Sequence, residues 1–247
     1  MEKYELTNET IQVMGKTLYR IKSLKDFDDV KTGDLGGFVE SCNNLSQVGK
    51  SWIYDNAKVF EFALVRGAAK VRDNAAIMGY AKVFDFAEIS GEAEVYGDCS
   101  IKGYSKVCGN ADISGNAIIV NAEISELARI FGDASVGGGS KVGGNALVFG
   151  NALISCKALV SGGCINGYAT IYGDAIIQNN SDFIVFQKWW DEGKYITWTR
   201  SNDMWYEKHE PCDAEAIVRY CYKQSDLSGE MMEKLVEYVN NIKNIQI

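Results

Sequence analysis

The chain has 247 residues, with 33 acidic and 25 basic side chains and a formal net charge of −8. No apolar run approaches the roughly 20 residues that a membrane-spanning helix needs, and no basic-plus-apolar leader opens the sequence, so we expect no membrane association. The seven cysteines include no Cys-x-x-Cys pair, which predicts reduced thiols and a cytoplasmic protein.

The acidic excess is spread along the chain. Residues 51–180 carry thirteen acidic and ten basic side chains. A mimic of duplex DNA would need a dense ladder of like charges, since DNA carries about one charge per 1.7 Å, and a nucleic-acid binder would need a basic stripe. Neither pattern is present, so DNA mimicry and direct nucleic-acid binding are both disfavoured.

Residues 1–45 are predicted to form an N-terminal cap. Two stretches of alternating polarity, 4–13 and 17–24, flank a Met-Gly-Lys tripeptide at 14–16 and predict a β-hairpin. Because the end of a repetitive core needs shielding from water, we expect this hairpin to cover the first repeat.

The hairpin is followed by an acidic segment, 26–34, which is predicted to be a loop. The next two glycines, Gly36 and Gly37, lack the Gly-Lys-Ser/Thr sequence that completes a phosphate-binding loop. They are therefore predicted to form a turn that delivers Phe38 and Val39 onto the first coil.

Residues 46–180 repeat one six-residue phrase, Ala-x-(Ile/Val)-x-Gly-(Asn/Asp), which is cleanest from Ala93 to Asp98. The β-branched position suits a packed strand, the small position suits a crowded corner, and Gly or Asn/Asp tolerates the positive φ of a turn. This period is typical of a parallel β-helix with three hexads per triangular coil. The 22 aliphatic positions from Ile53 to Ile177 predict about seven coils.

Residues 181–247 lose the six-residue period and are predicted to form a small α+β domain. Three strands are predicted at 183–190, 195–200 and 204–210, followed by helices from Pro211 to about 224 and from Ser228 to about 241. Four of the five tryptophans lie here and suit a domain core. Trp190 and Trp205 are kept as candidates for a binding pocket.

Aromatic and methionine side chains recur at outward positions of the early coils. A contiguous exposed apolar patch usually marks an interface, so these residues are predicted to bind a partner or a second copy of the chain. The alternative is that the rings pack on one another or under a terminal segment. The candidate interface residues are Phe60, Phe62, Met78, Tyr80, Phe84, Phe86, Tyr96 and Tyr104.

The sequence carries no recognisable catalytic or metal-binding set. Its single histidine, His209, lies between Lys208 and Glu210 outside every hexad, and the cysteines have no spacing suited to zinc. Acidic pairs such as Asp28 and Asp29 lie in predicted loops. We therefore expect no catalytic residue, no metal and no cofactor.

The hexads resemble the left-handed β-helix of hexapeptide-repeat acyltransferases. The whole chain resembles a family of phage- and prophage-encoded β-helix proteins in its opening hairpin and in three phrases: Leu-Gly-Gly-Phe-Val-Glu at 35–40, Asn-Leu-Ser at 44–46 and Thr-Arg-Ser-Asn-Asp-Met-Trp at 199–205. These resemblances imply a mainly β fold with a left-handed parallel β-helix. Hexapeptide acyltransferases use a histidine between neighbouring subunits as general base, and the repeats of this chain contain none.

The leading hypothesis is a non-catalytic, phage-type protein that binds and neutralises a host factor, such as a CRISPR-Cas nuclease or a nucleotide-signalling component of antiviral defence. It follows from the outward aromatic residues, the predicted caps and the phage-type resemblance. The alternative is a hexapeptide-type acyltransferase, and the second alternative is a structural solenoid or a protein that sequesters a small ligand. A homo-oligomer, either a dimer or a trimer, is also expected.

Overall fold

A computed structural model describes residues 2–187, 195–201, 204–207 and 210–212. These residues form a mainly β protein whose body is a parallel β-solenoid of about eight turns, compared with about seven predicted. Among them, the one helix is a 3-10 turn at Asn180–Asp182, and no described helix is long and apolar enough to cross a membrane. The solenoid prediction is therefore confirmed, while its left-handed winding stays a prediction.

The solenoid has three faces, each a sheet of short strands that are hydrogen-bonded from coil to coil. The first face contains β3 (Leu35–Val39), β5 (Lys58–Val59), β8 (Ala76–Ile77), β11 (Glu94–Val95), β14 (Asp112–Ile113), β17 (Arg129–Ile130), β20 (Leu147–Val148) and β23 (Cys164–Ile165). The second face contains β6 (Leu64–Val65), β9 (Lys82–Val83), β12 (Ser100–Lys102), β15 (Ile118–Val120), β18 (Ser135–Gly137), β21 (Leu153–Ile154) and β24 (Thr170–Ile171). The third face contains β4 (Trp52–Ile53), β7 (Lys70–Val71), β10 (Glu88–Ile89), β13 (Lys106–Val107), β16 (Glu123–Ile124), β19 (Lys141–Val142), β22 (Leu159–Val160) and β25 (Ile176–Ile177).

Each hexad buries one small and one aliphatic side chain. Ala57 and Val59 are both fully buried, and the same pair recurs two coils later as Ala93 and Val95. The β-branched side chain fills the interior, while alanine lets the chain turn tightly at the corner. Parallel pairing places Val95 beside Ile77, one coil earlier. The core is therefore a single column of aliphatic side chains that runs the length of the solenoid.

The corners between faces combine left-handed backbone with contacts to the next coil. Gly97 has a φ of +78°, and a Cβ built on it would lie 2.7 Å from the carbonyl oxygen of Gly115. Some corners carry an acidic residue in this conformation: the carboxylate of Asp73 accepts a hydrogen bond of 2.8 Å from the backbone N–H of Gly91. The Gly and Asn/Asp positions of the repeat thus set both the turn and the spacing of the coils.

The predicted N-terminal hairpin is present as β1 (Tyr4–Val13) and β2 (Lys16–Ser23). Strand β2 pairs antiparallel with β3, which pairs parallel with β5 of the first face. The hairpin therefore extends one face of the solenoid beyond its first coil. Tyr4 and Ile21 join the core there, and the ring of Tyr4 meets the buried ring of Trp52 edge-on at 6.1 Å.

The prediction that Gly36 and Gly37 form a turn is wrong, because both lie inside strand β3. The reason is space: a Cβ on Gly36 would lie 2.5 Å from the carbonyl oxygen of Ile53, 2.6 Å from a side-chain carbon of Ile21 and 2.7 Å from the ring of Trp52. Glycine is needed here for the close approach of β3 to the first coil.

Replacing Gly36 by alanine is expected to lower the free energy of unfolding by about 1–3 kcal/mol, because the added methyl group must displace packed atoms. Gly137→Ala is the matched control, since Gly137 also lies in a strand and the nearest atom to its built Cβ is 3.1 Å away. Urea denaturation followed by circular dichroism measures both variants. Equal losses in the two variants would contradict the close approach at Gly36.

After the last coil, the chain forms an antiparallel sheet of β26 (Phe183–Gln187), β27 (Tyr195–Thr199), β28 (Met204–Glu207) and β29 (Glu210–Cys212). The sequence predicts only three strands and a helix from Pro211. That helix start is wrong, because Pro211 lies in β29, an edge strand, where a residue without an N–H is tolerated. Cys212 also lies in β29, and the predicted helical residues from 213 onward lie outside the described part of the chain.

The antiparallel sheet contacts the last coils of the solenoid. The ring of Tyr195 stacks on that of Tyr168 with centroids 4.3 Å apart. The backbone N–H of Thr170 donates a hydrogen bond of 2.8 Å to the hydroxyl of Thr197. This end of the solenoid is thus joined to β27 by both a ring contact and a hydrogen bond.

Candidate functional site

A groove of about 520 Å³ lies on the first face, beside the tip of the N-terminal hairpin. Val13 and Met14 line it from the hairpin, and the solenoid side is formed by outward side chains of three successive coils. Val13 packs against the small apolar cluster that joins the hairpin to the first face. We call this space the hairpin groove, and it is the candidate functional site.

Two rows of outward side chains form the solenoid side of the hairpin groove. Lys58, Ala76 and Glu94 are the first residues of β5, β8 and β11, and the strand registers place them side by side in that order. The second row, just after the same strands, contributes Met78 and Tyr96. Because Ala76 carries a single methyl group between two long side chains, it opens the space that forms the groove.

The two charged ends of the first row are unpaired. The side chains of Lys58 and Glu94 make no hydrogen bond or ion pair with any residue that the structure describes. By contrast, Glu92 at the neighbouring corner accepts a hydrogen bond of 2.6 Å from the side-chain amide of Asn74. The hairpin groove therefore offers one free ammonium group and one free carboxylate on opposite sides of Ala76.

Tyr96 connects the hairpin groove to the next coil. Its hydroxyl donates a hydrogen bond of 3.3 Å to a carboxylate oxygen of Asp112, which also lies 3.4 Å from the guanidinium of Arg129. The second carboxylate oxygen of Asp112 is buried without a hydrogen-bond partner among the described residues. These contacts hold the Tyr96 ring at the C-terminal side of the groove.

The candidate residue Phe60 is not part of an exposed patch. It is only 1% exposed and packs with Leu18 and Phe38 between the hairpin and the first face. The prediction that Phe60 is an exposed interface residue is therefore wrong, because the hairpin covers this part of the face. Met78 and Tyr96 are half-buried, and they line the hairpin groove.

Four other candidates form two exposed stacked pairs. The rings of Phe62 and Tyr80 lie 4.8 Å apart, and those of Phe86 and Tyr104 lie 4.9 Å apart, each pair nearly parallel. Every one of these side chains is more than half exposed, from 57% to 71%. The first pair follows the first face and the second pair follows the second face, so the two aromatic pairs flank the early coils of the second face. Phe84 lies half-buried between them.

The C-terminal candidates contribute little to the described site. Trp190 and His209 lie outside the described residues. The backbone of Trp205 lies in β28, directly opposite Trp198 of β27. Trp198 is fully buried, which agrees with a core position for this tryptophan.

A polar cluster on the third face fixes the acidic loop that precedes β3. Asp29 accepts hydrogen bonds of 2.6 Å from the hydroxyl of Tyr54 and 3.1 Å from the ammonium of Lys70. The Tyr54 hydrogen bond is the main reason that the pKa of Asp29 lies well below its usual range. Burial, together with this carboxylate, raises the pKa of Tyr54 to about 12. Every group of the cluster is paired, so its role is to hold the loop.

The described residues contain no set of side chains suited to metal binding or to thiol catalysis. They contain no cluster of three or more His, Cys, Asp or Glu side chains that could hold a metal ion. Five cysteines there are free thiols. Cys99 is a buried core side chain, and its burial raises the pKa of the thiol to about 12. The hairpin groove, which combines a cavity with two unpaired opposite charges, remains the candidate site among the described residues.

Sequence reasoning found Met78 and Tyr96 but missed Met14, Lys58 and Glu94 as parts of one site. The groove exists because the hairpin tip lies over the first face, and no local sequence pattern predicts such a long-range contact. The only sequence signal was the single alanine, Ala76, between two long outward side chains, Lys58 and Glu94.

No family model matches the chain. Over 88 residues it is 33% identical to a protein of Escherichia coli (strain K12) named "Uncharacterized acetyltransferase YdcK". The similarity covers 32% of this chain and 27% of that protein, so this chain spans about a quarter of the relative's length. Together with the solenoid fold, this similarity fits a hexapeptide-repeat β-helix relationship.

Proposed function

We propose that the chain is an acyltransferase of the hexapeptide-repeat type and that the hairpin groove is its acceptor site. The similarity to a protein named an acetyltransferase favours this alternative over the non-catalytic hypothesis. The observation in the structure that carries the proposal is the free carboxylate of Glu94 in a groove large enough for a small molecule.

The chemistry requires a nucleophile, an activated acyl donor and a proton acceptor. In this proposal an amine or hydroxyl of the acceptor attacks the carbonyl carbon of an acyl thioester. A C–N or C–O bond forms, the C–S bond breaks, and the sulfur leaves as a thiolate that takes up a proton. The acceptor's proton passes to the carboxylate of Glu94, which lines the groove without a competing partner. No histidine occurs in the solenoid, so a carboxylate takes the base role that the resemblance gives to histidine.

Glu94→Gln is expected to lower kcat/KM for acyl transfer by about 100-fold, because the amide cannot accept the proton. The assay measures thiol release from acetyl coenzyme A with a panel of small amines and alcohols. Glu123→Gln is the matched control, since Glu123 lies at the same kind of strand position on the third face, paired with Lys141 at 2.7 Å. Thiol release no faster than in a protein-free blank, across the whole panel, would contradict the proposed function.

A second proposed function is protein binding by the two aromatic pairs, and it rests on their exposure. Stacked, exposed rings supply rigid apolar area at little entropic cost, which suits the centre of an interface. The host-factor hypothesis is the narrower form of this proposal.

If this is right, replacing Phe62, Tyr80, Phe86 and Tyr104 together by serine abolishes partner capture or self-association. The melting temperature should change little, because these side chains are outside the core. Native mass spectrometry of the purified wild type and of the four-residue variant measures self-association. Quantitative affinity capture with the same two proteins measures partner binding. The control replaces the half-buried stacked pair of the first face, Phe131 and Phe149, whose rings lie 4.8 Å apart. An unchanged assembly in the four-residue variant would exclude the aromatic pairs as the interface.

A further inference from the structure

We infer that the hairpin groove takes a zwitterion with an ammonium group at one end, a carboxylate at the other and a short apolar chain between them, as in an ω-amino acid. The role of this molecule as acyl acceptor rests on the proposed function. Its chemical class rests on the geometry of the groove alone.

The first support is the placement of two free, opposite charges. Lys58 and Glu94 belong to the same outward row and are separated by one intervening residue, Ala76. Neighbouring strands lie about 4.8 Å apart, so the two backbone positions are about 10 Å apart. This distance is too long for a direct ion pair between them without stretching both side chains across the groove. Each charge is instead available to a ligand, the ammonium of Lys58 for a carboxylate and the carboxylate of Glu94 for an ammonium.

The second support is the apolar middle of the groove. Between the two charges lie the methyl group of Ala76 and the thioether of Met78, and the hairpin contributes Val13 and Met14. Met14 is 79% exposed, so its flexible side chain is free to fold onto a bound ligand. A chain of methylene groups would bury apolar surface here, whereas a polyhydroxylated chain would lose its hydrogen bonds to water.

The third support favours a zwitterion over a plain cation as the ligand. The second acid at the groove, Glu92, already accepts the hydrogen bond of Asn74, which leaves Glu94 as the free carboxylate. The lining carries two carboxylates, Glu92 and Glu94, and one ammonium, that of Lys58. The ammonium distinguishes the groove from a purely acidic site for a cation. A simple amine would leave Lys58 unpaired, and a simple carboxylic acid would leave Glu94 unpaired, so neither satisfies both ends.

The direct test is binding of 6-aminohexanoate to the full chain in the absence of any acyl donor, measured by calorimetry and by protein NMR. Hexylamine and hexanoate are the matched probes, because each keeps the chain and one charge. We expect each to bind at least tenfold more weakly than 6-aminohexanoate. Equal binding of hexylamine, or no binding of any of the three, overturns the inference.

Variants locate the site. Glu94→Gln and Lys58→Met should each weaken 6-aminohexanoate binding at least tenfold, and only Glu94→Gln should leave hexanoate binding unchanged. Ala76→Leu should block all three probes by filling the space between the charges, with no loss of stability, because residue 76 points outward. Lys106→Met on the third face is the control for loss of one surface charge. Unchanged binding in Glu94→Gln and Lys58→Met places the ligand elsewhere and overturns the inference.

The binding experiment tests the ligand class, and the thiol-release assay tests acyl transfer, so either proposal can fail without the other. Tight binding of 6-aminohexanoate with no thiol release from acetyl coenzyme A supports the ligand class and contradicts acyl transfer. Acyl transfer to other amines, with no binding of 6-aminohexanoate, contradicts the ligand class and supports the proposed function.

Discussion

Replacing Trp52 by alanine is expected to lower the free energy of unfolding by about 3–5 kcal/mol, the usual cost of removing a large buried aromatic ring. Trp52 is 1% exposed and begins the first complete coil. Its ring meets Phe27 edge-on at 5.5 Å and Tyr4 at 6.1 Å, so one side chain joins the hairpin, the acidic loop and the solenoid. Its removal leaves a cavity where these three segments meet.

Urea denaturation followed by far-ultraviolet circular dichroism measures the Trp52→Ala effect without relying on tryptophan fluorescence. Trp52→Phe should lose less than half as much, because a smaller ring keeps part of the contact. Phe62→Ala is the control for an exposed ring, and we expect it to cost less than 1 kcal/mol. A Trp52→Ala loss as small as that of Phe62→Ala would contradict the central packing role of Trp52.

The second large effect is a pH dependence of stability that comes from Lys3. Lys3 directly precedes β1 and is fully buried, and its ammonium donates a hydrogen bond of 2.7 Å to the carbonyl oxygen of Ser51. Burial, with a smaller contribution from nearby Lys25, lowers the pKa of Lys3 from 10.5 to about 8. Between these pH values the unfolded chain binds more protons than the folded one, so the free energy of unfolding rises with pH.

Relative to Lys3→Met, the wild-type protein is expected to gain about 3 kcal/mol of stability between pH 8 and pH 10.5, at about 1.4 kcal/mol per pH unit. Below pH 8 the lysine is protonated in both states, and the difference between the two proteins should be constant. Urea denaturation at half-unit pH intervals measures the difference. Lys106→Met, which removes an exposed lysine, should show no such rise. A difference in the free energy of unfolding between wild type and Lys3→Met that stays constant with pH would contradict the lowered pKa of Lys3.

The fold could be predicted from the sequence because its rules are local. The sequence of each hexad determines which of its residues point inward and which form the corner. Ala93 and Val95 therefore pack as Ala57 and Val59 do, independently of residues distant in sequence. The hairpin was predictable for the same reason, from alternation around 14–16. Gly36 was misjudged because its role is set by Ile21 and Trp52, which are distant in sequence but adjacent in the structure.

The site was less predictable, since burial of an outward residue depends on what lies over it. Phe60 and Phe62 are both outward aromatic residues, yet the hairpin buries the first and leaves the second 70% exposed. The stacked pairs follow from coil spacing and could be read from the repeat. The hairpin groove could not, because its position depends on where Met14 comes to lie.

The regular spacing of the coils has a consequence for how such a chain can change length. Paired strand residues of neighbouring coils are 17 or 18 positions apart, and the hairpin groove uses only the hairpin and the first three coils of the first face. Duplicating or deleting one whole coil beyond Ile130 would leave every residue of the groove in place, together with the contacts of Tyr96 with Asp112 and of Asp112 with Arg129. It would change only the distance from the groove to the antiparallel sheet, by about 4.8 Å per coil. The later coils thus serve as a spacer whose length is adjustable in fixed steps.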